Sequence, residues 1–254
     1  MPTELVQLSI TNSVATVTLN RPDKLNALNG EMLDRLDAIA DELDRNRDVR
    51  VVLLTGAGKA FCVGADIFEW SSLSPLEMGR RWIRDGHRIF ERFARLPQPV
   101  IAVLNGYTFG GGLELALAAD LRLAAVGVQL SFPEVKLGII PGWGGTQRLP
   151  ALIGASRAKQ MIFSGARVDA AVAEGWGLVN EVVAAEELMA RAHQLAAEIA
   201  ANGPVAVQLT KQLIDGAEMA SLEALAGSLA SYTEDAQEGV AAFRERRAPQ
   251  FSGR

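Results

Sequence analysis

The chain has 254 residues, 49% of them hydrophobic and 22% charged, which allows one large domain, or a domain with a small appendage, around a sizeable core. A net charge of −5 and a pI of about 5.2, with no basic patch, argue against phosphate-driven nucleic-acid binding. A single cysteine, Cys62, excludes an internal disulfide framework and a cysteine-cluster metal site; His87 and His193, far apart in sequence, argue against zinc; and no run of about 18 apolar residues marks a membrane span.

The opening MPTELVQLSI has no basic stretch followed by a long apolar one, so no signal peptide is expected and a reducing cytoplasm is the expected setting. Residues 4–10 and 14–19 are short β-like runs around Asn12-Ser13 and predict a hairpin. Asn29 is placed to cap a helix in which Met32, Leu33, Leu36, Ile39, Ala40 and Leu43 recur at helical spacing. Residues 49–56 (VRVVLLTG) are a continuous apolar run ended by glycine, the pattern of a strand buried on both faces. Pro75 opens a helical stretch to about Leu96, followed by a second apolar strand at 99–106, a short helix at 113–120 and a strand at 121–126. Residues 133–154, rich in glycine and proline, read as loop. Helices are expected at 155–164, 169–175 and 185–201, with a strand at 178–183, and from 204 to about 247 the pattern is helix upon helix. The class is therefore α/β with a helical C-terminal part, and Asn202-Gly203-Pro204 is the expected boundary between residues 1–200 and 201–254. A weak repeat of apolar strand, glycine loop and helix stands at 51–66 and again at 100–119.

Two glycine loops follow buried strands, at 55–67 (TGAGKAFCVGADI) and 105–115 (NGYTFGGGLEL). Open α/β sheets bind ligands beyond the carboxyl ends of their strands. Gly110, Gly111 and Gly112 precede a helix whose free N–H groups and positive dipole end favour an anion, whether a phosphate or a developing oxyanion. The phosphate-binding patterns fail: Gly58-Lys59 is followed by Ala60, and Gly142-Trp143-Gly144 is not completed as a dinucleotide fingerprint. Glu114, among Leu113, Leu115 and Leu117, and Glu134, in SFPEVKLGIIPGWGGTQRL, are the candidate proton-moving carboxylates. Each feature also has a purely architectural reading. Glycines allow close packing, a glutamate complements a helix start, PGWGG makes a turn, Cys62 is a small hydrophobe, and His87 and His193 are solvated or pairing side chains.

The stretches AFCVGADI, PVIAVLNGYTFGGGLELALAAD and FPEVKLGIIPGWGGTQRLP resemble the enoyl-CoA hydratase/isomerase (crotonase) superfamily, and VATVTLNRPDKLNALN and GVAAFRERRAPQF are similar to its two ends. The resemblance implies a crotonase-like superhelix of repeated ββα units, with a helical C-terminal oligomerisation region that builds a homotrimer or homohexamer. It implies an acyl-CoA thioester ligand, with coenzyme A as part of the substrate, no separate cofactor and no metal. By match to the motifs, the backbone N–H groups of Ala65 and Gly111 form the oxyanion hole, and Glu114 and Glu134 are the catalytic pair. Lys24, Ala27 and Leu28, then Ala65, Asp66, Ile67 and Phe68, then Gly111, Gly142, Trp143 and Arg246 are the implied contacts to CoA and the acyl group.

Both glutamates stand at the spacing of the hydratase pattern, so the expected reaction is syn hydration of a trans-2-enoyl-CoA to a 3-hydroxyacyl-CoA, as in fatty-acid β-oxidation. The alternatives are another crotonase reaction, such as double-bond isomerisation, and a non-catalytic RNA-binding homologue. The acidic first helix, EMLDRLDAIADELDR, argues against the last. The chain departs from the family pattern at Phe68, where lysine is frequent, and at Trp143, where a small residue is usual; residues 70–85 fall where acyl specificity is largely set.

Overall fold

The computed structural model describes residues 4–216 and 220–254. Residues 1–3, in the opening stretch, and 217–219, in the tail expected to be helical, lie outside the described residues. Strands β1 (Val6–Thr11) and β2 (Val14–Leu19) pair antiparallel across Asn12 and Ser13, whose φ values of 49° and 64° give the tight turn of a two-residue hairpin. Helix α1 (Gly30–Arg45) starts where the Asn29 side chain accepts a hydrogen bond from the Met32 N–H, and the six apolar residues at helical spacing are its buried face.

The next elements repeat a theme. Strand β3 (Val51–Gly56), buried throughout, leads to the short β4 (Ala60–Cys62) and to α2 (Ile67–Trp70), capped by Asp66. Residues 75–94 then form one continuous helix: α3 (Pro75–Glu77) with a Ser74–Glu77 capping box, a π-helical turn (Met78–Ile83), and α4 (Arg84–Ala94). The theme returns as β5 (Val100–Leu104), β6 (Tyr107–Phe109) and α5 (Gly111–Leu117). It returns once more as β7 (Leu121–Ala125), β8 (Gln129–Ser131) and a 3-10 turn (Glu134–Leu137). The remaining elements are α6 (Gly145–Ile153), α7 (Ala155–Ser164), β9 (Val168–Asp169), α8 (Ala170–Gly175), β10 (Glu181–Val183), α9 (Leu188–Ala200), α10 (Pro204–Asp215), α11 (Ala220–Ser231) and α12 (Glu234–Glu245).

The first strand of each repeat enters a six-stranded sheet, ordered β1-β2-β3-β5-β7-β10 and parallel from β2 onward. The second strand enters a smaller sheet, ordered β4-β6-β8-β9. This is the ββα architecture expected, and the repeat seen weakly in the sequence occurs three times. Helix α9 packs on β2, β3, β5 and β7, which buries the large sheet between helix and small sheet. Lys211 of α10 reaches Asp120 at 2.8 Å and the Gln98 carbonyl at 3.1 Å, which anchors the C-terminal helices to the sheet. Arg50 donates to the carbonyls of Ala200 (2.9 Å) and Phe251 (2.7 Å), and Asp235 accepts from the N–H groups of Ser252 and Gly253, so the tail lies back on the first half of the chain. Among the described residues, no helix is long and apolar enough to cross a membrane.

Three expectations are corrected. Residues 133–154 are not all loop: the 3-10 turn and α6 fall there, with Pro150 inside the helix. The glycines before α6 mask its start, and burial of Leu149 and Ile153 outweighs the proline. The strand expected at 178–183 is only Glu181–Val183; Leu178 and Val179 instead close the end of α8 by donating to the Ala173 carbonyl. Helix α5 begins two residues earlier than expected, so Gly111 and Gly112 belong to its first turn.

Candidate active site

The segments that follow the small-sheet strands β4, β6 and β8, with the start of α5, converge on a cavity of about 400 Å³. Ala65, Ile67, Gly111, Glu114, Glu134, Gly142 and Trp143 all line it. The residue before α5, Gly110, has φ 51° and ψ −128°, a region closed to other residues, and a Cβ there would stand 2.8 Å from Glu134 Oε1. Gly111, whose N–H is one of the free donors of a helix start, lies against the Ala65 loop: a Cβ on Gly64 would stand 3.3 Å from the Gly111 nitrogen and one on Gly111 3.5 Å from the Ala65 nitrogen, and Gly111 and Ala65 both line the cavity. Neither N–H donates to a protein acceptor among the described residues. The Ala65 loop is fixed from behind: Leu28 N–H donates to Gly64 O and Asp66 N–H to Leu28 O, both at 2.8 Å.

Glu114, in the first turn of α5, is buried, and its Oε1 accepts from the N–H groups of Trp143 and Gly145, both at 2.8 Å. Burial pushes its carboxyl above the ordinary range, against the pull of those two bonds and of the nearby Arg148 guanidinium. Glu134 opens the 3-10 turn after β8. Its Oε2 is buried with no hydrogen-bond partner among the described residues. Burial, helped by the Glu114 charge, pushes its carboxyl up to about 7. Two carboxylates thus face one cavity in unequal surroundings: one gripped by N–H donors, the other bare. That is the arrangement from which an acid and a base can be drawn.

Trp143 is a wall of the cavity. Its indole N–H donates to the Trp82 carbonyl at 3.2 Å, and its ring lies 5.5 Å from Trp82 and 5.2 Å, edge on, from Phe90. The residue facing it from α4 is Gly86, where any Cβ would collide with the indole. Met78, Trp82 and Ile83, from the π-helical turn, complete this apolar side.

The other candidates lie elsewhere. Lys24 and Phe68 are exposed, Phe68 at 91%, and Ala27 is half-buried. The Leu28 side chain is fully buried, and its backbone groups are already used by Gly64 and Asp66. Asp66 pairs with Arg21 at 2.7 Å, which holds its carboxyl below the usual range and, with the bond from Arg21 to the Ala27 carbonyl, ties the RPDKLNAL loop to the Ala65 loop. Arg246, exposed in a left-handed conformation after α12, is outside the cavity. Cys62 is buried, and burial pushes its thiol up to about 12, so it is an inert hydrophobe. Four contributors were not foreseen: Arg21, Glu69, whose carboxylate accepts from the Gly30 N–H, and the pair Arg148–Glu91. None carries a local signal, since each meets its partner across many residues. A wider groove of about 850 Å³ runs between α1 and α4, but its Arg88 and Arg92 are paired with Asp37 and its Glu91 with Arg95 and Arg148. No cluster of three or more His, Cys, Asp or Glu suited to a metal occurs among the described residues.

The family profile described as enoyl-CoA hydratase/isomerase matches residues 9–254. A short-chain-enoyl-CoA hydratase of Clostridium acetobutylicum is 43% identical over 241 residues, covering 92% of this chain and 92% of its own. An (E)-benzylidenesuccinyl-CoA hydratase of Thauera aromatica is 41% identical over 258 residues, covering 98% and 99%. The crystal structure of an enoyl-CoA hydratase from Bacillus anthracis superposes with a TM-score of 0.95 at 40% identity, covering 98% of this chain and 100% of the other.

Proposed function

The chain belongs to the enoyl-CoA hydratase/isomerase family, and from that premise we propose that it is an enoyl-CoA hydratase, adding water reversibly and with syn geometry across a trans-2-enoyl-CoA. The observation that carries this reading is the pair of buried, unequally held carboxylates beside two free N–H donors in one cavity. Hydration needs both: a base to take a proton from the attacking water and an acid to protonate the neighbouring carbon.

In this mechanism the thioester oxygen sits between the N–H groups of Ala65 and Gly111. As water adds at C3, electron density moves into the thioester, and the two donors stabilise the enolate-like oxygen; losing one such donor typically costs about 10²–10³ in rate. Glu114, oriented by Trp143 and Gly145, takes the proton from water. Glu134, protonated up to about pH 7, delivers its proton to C2. Afterwards Glu134 holds the charge and Glu114 the proton, so a proton passed between them through solvent restores the starting state. Lys24, Ala27, Asp66, Ile67, Phe68 and Arg246 hold the CoA moiety, Phe68 by offering an apolar ring where a cation is frequent, while Leu28 acts through the backbone of its neighbours. Gly142 and Trp143 bound the acyl group. The coenzyme A carried by the substrate is the only cofactor required, and the setting is cytoplasmic.

The test is loss of conjugated-thioester absorbance when the protein meets crotonyl-CoA. Wild type hydrates it, while Glu114→Gln and Glu134→Gln each lose almost all turnover and still bind the thioester. Full activity in either variant would overturn the two-carboxylate assignment.

A further inference from the structure

The turn from Gly142 to Gly145 supplies both donors that orient Glu114. Three glycines in four residues give this turn little stiffness of its own, so two well-formed bonds to one oxygen need an external brace. Arg148 is placed to be that brace. Its Nη1 donates to the Trp143 carbonyl at 3.3 Å, and its Nη2 pairs with Glu91 Oε2 of α4 at 2.5 Å. The Arg148 N–H also donates to the Gly144 carbonyl at 2.9 Å. Gly144 has φ 110°, and a Cβ there would collide with the guanidinium, so the arginine lies directly against the turn. The Arg148 side chain is only 17% exposed, which makes its ion pair more than a screened surface contact.

We propose that Arg148, braced by Glu91, is a positioning residue: it fixes the 142–145 turn and, through the N–H groups of Trp143 and Gly145, sets the orientation of the Glu114 carboxylate toward the cavity. The catalytic part of this assignment rests on the reading of Glu114 as the base. Glu114 is faced by Glu134 from the turn after β8 and by Arg148 from α6. Arg148 in turn is faced by Glu91 and His87 of α4, and Glu91 also by Arg95. Apart from Glu114 itself, Arg148 is the one group among these that touches the turn through a hydrogen bond.

The experiment compares wild type with Arg148→Met, Arg148→Lys and Glu91→Gln in three measurements. Hydrogen exchange, read by mass spectrometry on a peptide covering residues 142–146, reports the turn. Infrared difference spectroscopy, with Glu114→Gln as the assignment control, reports where the Glu114 carboxyl titrates. The pH profile of crotonyl-CoA hydration reports function. In Arg148→Met the peptide exchanges faster and Glu114 titrates at higher pH, because the pull that lowers it is gone. The acid limb of kcat/KM shifts upward with it, and kcat falls by about tenfold or more, within the ~10² that a 1 Å misplacement costs. KM stays within about twofold, since no substrate contact is lost. Glu91→Gln moves exchange and titration in the same direction by less, and Arg148→Lys restores the titration but not the slow exchange. Wild-type exchange and titration in both Arg148→Met and Glu91→Gln would overturn the proposal. If Arg148→Met fails to fold, Glu91→Gln alone decides. A wild type that does not hydrate crotonyl-CoA would sink the reading of Glu114 as the base while leaving the exchange and titration results to judge the brace.

Discussion

At the residue scale, Glu134 carries a pH signature. Folded, it keeps its proton up to about 7, against 4.5 for an unburied glutamate. Between those values the unfolded chain has released a proton that the folded chain retains, so this group's contribution to stability falls as pH rises from 4.5 toward 7 and is flat above. Glu134→Gln has no such loss. Thermal or urea unfolding should find it more stable than wild type above pH 7, by about 1–3 kcal/mol, with the gap closing on acidification toward pH 4.5. With Glu134 as the proposed acid, the same proton should set the alkaline limb of hydration, which is expected to fall as pH rises past about 7. A gap independent of pH would mean that Glu134 titrates as an ordinary carboxyl. Both glutamates could be picked from the sequence, because each is a carboxylate flanked by apolar residues and close to glycine turns. Their inequality could not: it depends on donors 29 and 31 residues away from Glu114.

At the element scale, the π-helical turn matters most. By widening the helix between α3 and α4 it brings the Trp82 carbonyl to the Trp143 indole, with Phe90 closing the other edge. The wall so built closes one side of the cavity in which the acyl group is proposed to lie. Trp143→Ala keeps the backbone N–H that serves Glu114 but removes the wall. It should raise the rate with trans-2-decenoyl-CoA relative to crotonyl-CoA by about tenfold or more, at a cost of about 3–5 kcal/mol in unfolding free energy. An unchanged chain-length profile would show that the acyl group runs elsewhere. Nothing in residues 75–94 marks this turn, since its pattern is that of an ordinary amphipathic helix. Legibility across the fold follows the same logic. Helix α1 has a cap and six apolar residues in period, and β3 and β5 are unbroken apolar runs, so all three could be located. The small sheet is made of strands of two or three residues, too short to show a period of two, and it is specified by where the glycine loops lead rather than by its own residues.

At the scale of the whole molecule, the C-terminal helices are incomplete on their own. Leu225 and Leu229 on α11 are 66% and 57% exposed, and Phe243 on α12 is 85% exposed. Helical periodicity announces such an apolar face but does not say what covers it, and here the chain's own core does not. The family resemblance supplies the expectation that copies of the chain cover it in a trimer or a doubled trimer. Sedimentation equilibrium should find three or six chains, and Leu229→Asp with Phe243→Asp should yield the monomer; a wild-type monomer would refute the assembly. The proposed oxyanion role of Ala65 and the proposed CoA contacts likewise rest on resemblance alone, because an exposed lysine or a backbone N–H has no physical signature in a sequence.

The bond from Arg50 to the Phe251 carbonyl spans 201 residues. On a ribosome adding about 5–20 residues per second, Arg50 waits about 10–40 s for that partner to be made. For the first 150 residues of that interval the guanidinium has neither of its two carbonyl partners, and once Ala200 is made it has one of them. The Phe251 carbonyl therefore completes the second of two bonds from one guanidinium, so that bond joins the first fifth of the chain to the tail only after every strand of the large sheet has been made.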